Sequence, residues 1–139
     1  MNRDKSLYFY RGYKYQVRKP FHIKLDIVPY ESIHLDLVSM DKDGNTIIFP
    51  GYAWNGASGP TIDTLNSMIG SLIHDLIYQL IRLGFIDDSY KEYGDKLLYD
   101  LCVEDGMWRL RAKLWKWAVL KFGRGSTRPS AEPILEVAP

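Results

Sequence analysis

One heptapeptide of this chain, Leu72-Ile73-His74-Asp75-Leu76-Ile77-Tyr78, brings an imidazole, a carboxylate and a phenol together. An imidazole titrates near neutrality and is the usual general base, and a carboxylate beside it orients the ring and stabilises its protonated form. On a helix His74 and Tyr78 stand at i, i+4 on one face, with Ser71 a turn earlier and Asp75 alongside. A second carboxylate, Asp95, lies in a later helical run. If that run returns antiparallel after a short link, a rise of about 1.5 Å per residue brings Asp95 level with Tyr78 and about one turn from His74. Asp95 can then reach either group. A nucleophile is offered by water or by Ser58, which sits in the loop Asn55-Gly56-Ala57-Ser58-Gly59. The glycines suit a tight backbone turn that buttresses His74. Two readings follow. A catalytic His74 must open onto a cleft beside Asn55–Gly59. A structural His74, holding two helices in register, is sealed with both ring nitrogens bonded.

The elements that must position these groups fall into two halves. Leu7–Val17 is rich in Tyr and Phe with partial alternation. Phe21–Ile27 and Ile33–Leu37 alternate with period two, as half-buried strands do. Asp43-Gly44, ahead of the apolar run Thr46–Phe49, is a hairpin signal because Gly accepts the positive φ of such turns. Asp41–Asn45 also shares the opening of a calcium loop, but its glycine is fourth rather than sixth and Tyr52 stands where a bidentate Glu is needed. The glycines and prolines of Pro50–Pro60 forbid long regular structure. The helical half comprises a segment over about Thr64–Leu83, stopped by Gly84, and a segment opened by a capping box, Ser89-Tyr90-Lys91-Glu92, and running to about Asp105. A third segment spans about Met107–Phe122. Strands followed by helices make an α+β fold: a small N-terminal antiparallel sheet, then a three-helix C-terminal part, with helices on one face of the sheet. Residues 1–123 form one domain, and 124–139 an extended, Pro-containing tail.

At about 100° per residue, the first helix places Leu65, Ile69, Leu72, Ile73, Leu76, Leu80 and Leu83 on one side. Ser67, Ser71, His74, Asp75, Tyr78, Gln79 and Arg82 share the other. That second stripe is either a solvated face or a hydrogen-bonded network; its hydroxyls, acid, base and phenol favour the network. The third helix carries Arg109, Lys113 and Lys116 on one stripe and Trp108, Leu114, Trp115, Ala118 and Phe122 largely opposite. The plainest reading is a packed helix with a solvated outer face, and the alternative is a helix on an anionic surface.

Composition bounds the rest. The chain has 139 residues, 46% apolar and 25% charged, with ten Tyr and four Trp. That is enough to bury a core without disulfides. The single cysteine, Cys102, forms no internal disulfide and points to a reducing, cytoplasm-like compartment. A net charge of +1 gives no global nucleic-acid signature. No apolar stretch approaches the roughly 20 residues of a membrane span. Zinc lacks a set of three or four His and Cys ligands, and His22 and His34 both fall on expected strands.

The run Phe49-Pro50-Gly51-Tyr52-Ala53-Trp54-Asn55-Gly56-Ala57-Ser58-Gly59-Pro60, then His74-Asp75 with Tyr78, then Gly94-Asp95, resembles a family of uncharacterised small proteins of tailed bacteriophages, prophages and bacteria. The resemblance covers roughly residues 47–123, with Asn55 where many members carry Asp. It implies a phage or prophage origin, hence a bacterial host cytoplasm or a virion, and a phage or host protein as partner through the tail or the basic third helix. More locally, His74-Asp75-x-x-Tyr78 with Asp95 is similar to the core of secreted phospholipases A2. That similarity implies His74 as general base, Asp75 as ligand of a divalent cation such as calcium, and Tyr78 and Asp95 as a brace. The sequence therefore leads to a small hydrolase-like site beside the Asn-Gly-Ala-Ser loop, or to a non-catalytic phage protein in which the same cluster is structural.

Overall fold

The computed structural model describes residues 1–11, 14–56 and 64–122, without the side chains of residue 115 and residues 118–122. Seven short strands precede three helices: β1 (Phe9–Tyr10), β2 (Tyr15–Val17), β3 (Phe21–Lys24), β4 (Ile33–His34), β5 (Val38–Met40), β6 (Asn45–Ile48), β7 (Ala53–Trp54), α1 (Met68–Arg82), α2 (Tyr90–Glu104) and α3 (Arg109–Phe122). The fold is α+β.

The strands form two antiparallel sheets, β1-β2-β7 and β3-β6-β5-β4, rather than the single sheet expected. Alternation assigns residues to faces but not strands to partners, so the division left no mark in the sequence. In β3, Phe21 and Ile23 point inward and His22 and Lys24 outward. Strand β3 pairs with β6 in the register Phe21 opposite Ile48. The run Ile33–Leu37 is not one strand. It breaks after His34 and turns through Leu35–Leu37 into β5, the Leu35 N–H donating to the Val38 carbonyl at 2.9 Å. Asp36 is a turn former, and the alternation continuing across it hid the corner.

The β5–β6 hairpin is the one that Asp-Gly announced. Asp41 Oδ1 accepts from the Asp43 and Asn45 N–H groups, both at 2.9 Å, and Gly44 adopts φ 84°.

The first helical segment opens as a single 3-10 turn, Leu65–Ser67, before α1 begins. The Thr64 N–H donates to Ser67 Oγ, whose hydroxyl donates back to the Thr64 carbonyl. Gly84 ends α1 at φ 82°. The expected Ser89 capping box is not formed: the Ser89 side chain makes no cap bond, and Asp87 Oδ2 accepts the Ser89 N–H at 2.9 Å instead. The Asp87 carboxylate thus takes the N–H that the Glu92 side chain would accept in the box.

One apolar core joins the inward strand residues Val17, Phe21, Ile23, Val38, Met40 and Ile48 to Leu72, Ile73, Leu76 and Leu80 of α1 and Leu97 and Leu101 of α2. Every residue of α1 except Asp75 and Arg82 is buried, so it is a central helix rather than a surface one. The polar stripe expected to be either solvated or networked is covered. Helix α2 is tied to the sheet side by its tyrosines: the Asp26 N–H donates to Tyr93 OH and the Val28 N–H to Tyr90 OH, each at 3.0 Å. Helix α3 carries most of its described apolar side chains at the surface. Ala112 is buried, but Trp108 is 84%, Leu110 72%, Leu114 57% and Trp117 53% exposed. The expected tail lies outside the described residues.

Candidate functional site

The site sits where α1 and α2 pack most closely, and glycine makes that approach possible. A Cβ on Gly70 would fall 2.9 Å from Cys102 Sγ and 3.2 Å from the Leu98 carbonyl oxygen; one on Gly94 would fall 3.1 Å from Ile77 Cγ2. Each helix thus presents a bare backbone to the other. Gly94 directly precedes Asp95, and Ile77 directly precedes Tyr78, so the contact that draws the helices together carries the carboxylate to the phenol. Mid-helix glycine costs roughly 1 kcal/mol against alanine. Its presence in two interior positions was the available sign of a close crossing.

Asp95 is 3% and His74 6% exposed. His74 Nε2 lies 2.6 Å from Asp95 Oδ1, and Tyr78 OH donates to the same oxygen at 2.7 Å. The His74 and Tyr78 rings are 4.2 Å apart, tilted by 36°. Because a carboxylate only accepts, Nε2 is the donor of this bond, and in the neutral imidazole Nδ1 presents a lone pair. Nδ1 has no hydrogen-bond partner among the described residues. Burial, then the bond to Asp95, holds the Tyr78 phenol far above its ordinary range, so it remains a donor. In this arrangement Asp95 orients the imidazole and lies against any positive charge it gains, while Tyr78 pins the carboxylate.

The loop side is positioned by Trp54. Its indole N–H donates to Ser71 Oγ at 3.0 Å, and that hydroxyl donates to the Met68 carbonyl at 3.0 Å. Strand β7 is thereby fastened to α1 one turn before His74. Asn55 follows, exposed, and Gly56 is buried at φ 84°. Ala57 and Ser58 lie outside the described residues.

Asp75, half-buried, acts electrostatically on Arg82 and Tyr52. Tyr52 is fully buried, and its hydroxyl has no hydrogen-bond partner among the described residues. Burial, then the Asp75 charge, pushes that phenol well up, with Arg82 opposing. Sequence reasoning missed Tyr52 because its loop promised only irregular backbone. For the metal role expected of Asp75, the described residues contain no group of three or more His, Cys, Asp or Glu able to hold a metal ion, whereas calcium takes six to eight oxygens.

Two described cavities lie elsewhere. One, of about 430 Å³, is on the outer face of the four-stranded sheet between Asp4, His22, His34 and Asp41. The other, of about 520 Å³, is bounded by Lys5, Phe9, Leu65 and Asp105. No family model, curated protein or solved structure matches the chain.

Proposed function

We propose that the chain is a phage-type protein with a small hydrolase-like site in which His74 is the general base, acting on a water or on the Ser58 hydroxyl. One observation carries this reading: His74 is bonded at Nε2 to a carboxylate that a phenol also holds, while Nδ1 has no hydrogen-bond partner among the described residues. A mere strut gains most from bonding both ring nitrogens; a base needs one left over. In the proposed step Nδ1 takes the proton of the attacking oxygen. The imidazolium so formed lies on Asp95, and it returns the proton to the leaving group. Esters and phosphodiesters are the substrate classes to screen first. The phage assignment rests on the resemblance of the Pro50–Pro60, His74–Tyr78 and Gly94-Asp95 motifs.

The depth of His74 favours a second reading, in which the cluster is a strut of a virion or host-interaction protein. Thermal midpoints of wild type and His74→Ala, with and without calcium, magnesium or zinc, separate the two when combined with ester and phosphodiester assays. For a site, we expect the wild type to show a hydrolytic activity that His74→Ala loses while it remains folded. A large fall in midpoint with no activity in either protein gives the cluster to the strut. A metal that raises the wild-type midpoint, as preferential binding to the folded state must, would restore Asp75 to the site.

A further inference from the structure

Helix α3 carries a feature that packing does not explain. Leu110, Leu114 and Trp117, at i, i+4 and i+7, fall within about 60° of one another at roughly 100° per residue, and all three are more than half exposed. Buried Ala112 lies on the opposite side. Cations flank the stripe: Arg109 and Lys113 are exposed and Lys116 half-exposed. Between Asp105 and Glu132 the sequence has no carboxylate.

We propose that α3 is a membrane-surface helix that lies in the headgroup region of an anionic bilayer, seating Leu110, Leu114 and Trp117 at the acyl boundary with its lysines on the lipid phosphates. An apolar stripe with Trp, bordered by Lys and Arg, is the pattern of a helix lying in the interface plane. Phosphate groups answer the positive charge of Arg109, Lys113 and Lys116, at about 1 kcal/mol per Lys or Arg near the surface. The other occupants fit less well. A nucleic-acid backbone would meet the lysines but leave the leucines without a partner. A second copy docked about a two-fold axis would set Lys113 and Lys116 against their own like charges. No helix among the described residues is long and apolar enough to cross a membrane. This inference does not depend on the His74 reading.

The test is flotation of the full chain with vesicles of phosphatidylcholine alone and of phosphatidylcholine with phosphatidylglycerol in equal amounts. The wild type should float with the anionic vesicles only, and less as salt is raised. Leu110→Glu/Leu114→Glu should lower the partition coefficient at least about tenfold, through lost apolar burial, with an unchanged thermal midpoint. Lys113→Glu/Lys116→Glu should lower it comparably without touching the apolar stripe. Failure of the wild type to float with anionic vesicles overturns the proposal. So does binding that the leucine variant retains, which would make α3 a polyanion site. A large fall in the leucine variant's midpoint overturns it too, because the stripe would then be packed within the molecule. Conversion of a wild-type dimer to monomer in that variant, without vesicle binding, would assign the stripe to self-association.

Discussion

At the residue scale, Asp95 is the centre of the buried network, because one of its oxygens serves both His74 and Tyr78. The two substitutions that remove a partner from it should therefore differ in cost. Tyr78→Phe removes one donor and leaves the His74 bond, so urea unfolding should show a loss of about 1–3 kcal/mol. Asp95→Ala strands a buried imidazole N–H and a buried phenol together, and the loss should be about 3 kcal/mol or more. Equal losses would mean that the phenol, not the carboxylate, holds the crossing. Cys102 is a second residue with a sharp expectation. Burial, then the Asp105 charge, pushes its thiol up to about 12. At pH 8 the thiolate is scarce and the sulfur sealed, so Ellman's reagent should react only on the unfolding timescale. Prompt reaction in native buffer would contradict the packing of Cys102 against Gly70.

At the element scale, two glycines with nearly the same dihedral angle separate backbone strain from steric fit. Gly44 in the β5–β6 hairpin has φ 84° and Gly84 after α1 has φ 82°. A Cβ on Gly44 would meet the Leu25 carbonyl oxygen at 1.9 Å, whereas one on Gly84 meets nothing within 4 Å. Gly84→Ala should cost only the left-handed penalty, about 1–2 kcal/mol. Gly44→Ala must also displace the backbone, so its midpoint in urea should fall clearly further. Much of this level was legible beforehand. Period-two alternation marked β3, the Asp-Gly pair marked the hairpin, and Gly84 marked the end of α1. Helix-rise arithmetic placed Asp95 within reach of His74 and Tyr78 before any coordinates. What escaped has physical reasons. Strand β7 is two residues long, too short for periodicity, and it is held by pairing with β2 and by the Trp54–Ser71 bond. Whether a polar stripe faces water or another helix depends on how that other helix docks. For α1 this was decided by Gly70 and Gly94, which a count of polar residues on one helix does not see. The exposure of Leu110 and Leu114 escaped for the same reason in reverse: apolar spacing predicts a buried face without supplying the element that would bury it.

At the scale of the whole molecule, one cation joins the N-terminal arm to the end of α2. The segment Asn2–Asp4 runs along β3, the Lys24 N–H donating to the Asn2 carbonyl and the Asp4 N–H to the His22 carbonyl, each at 2.8 Å. This lays the almost fully buried Arg3 side chain across the end of α2, where Nε pairs with Glu104 at 3.1 Å and Nη2 pairs with Asp105. The clasp joins residues about a hundred positions apart, so its loss should loosen the N-terminal arm and the α2–α3 corner together. Its pH dependence has a definite sign. Burial raises the Asp105 carboxyl above its ordinary range, Arg3 pulls it back down, and Glu104 adds to the rise. A carboxyl raised on folding binds its proton more tightly in the folded chain. Its contribution favours folding below the unfolded pKa and is lost as pH rises through the folded value. Arg3→Ala removes the opposing pull and leaves a half-buried carboxylate whose Oδ2 already lacks a partner among the described residues. The deficit of Arg3→Ala against wild type should thus be about 1–3 kcal/mol at neutral pH and should shrink as pH falls through the raised Asp105 value, because protonation removes the stranded charge. Asp41, lowered on folding, weakens wild type and variant equally over that range and cancels in the difference; Asp4, lowered too, lies on the arm that Arg3 anchors, so Asp4→Asn in both backgrounds removes its contribution. Paired urea titrations from neutral pH down to the carboxylate range measure it directly. A deficit that stays constant with pH would assign the role of Arg3 to packing of its aliphatic stem.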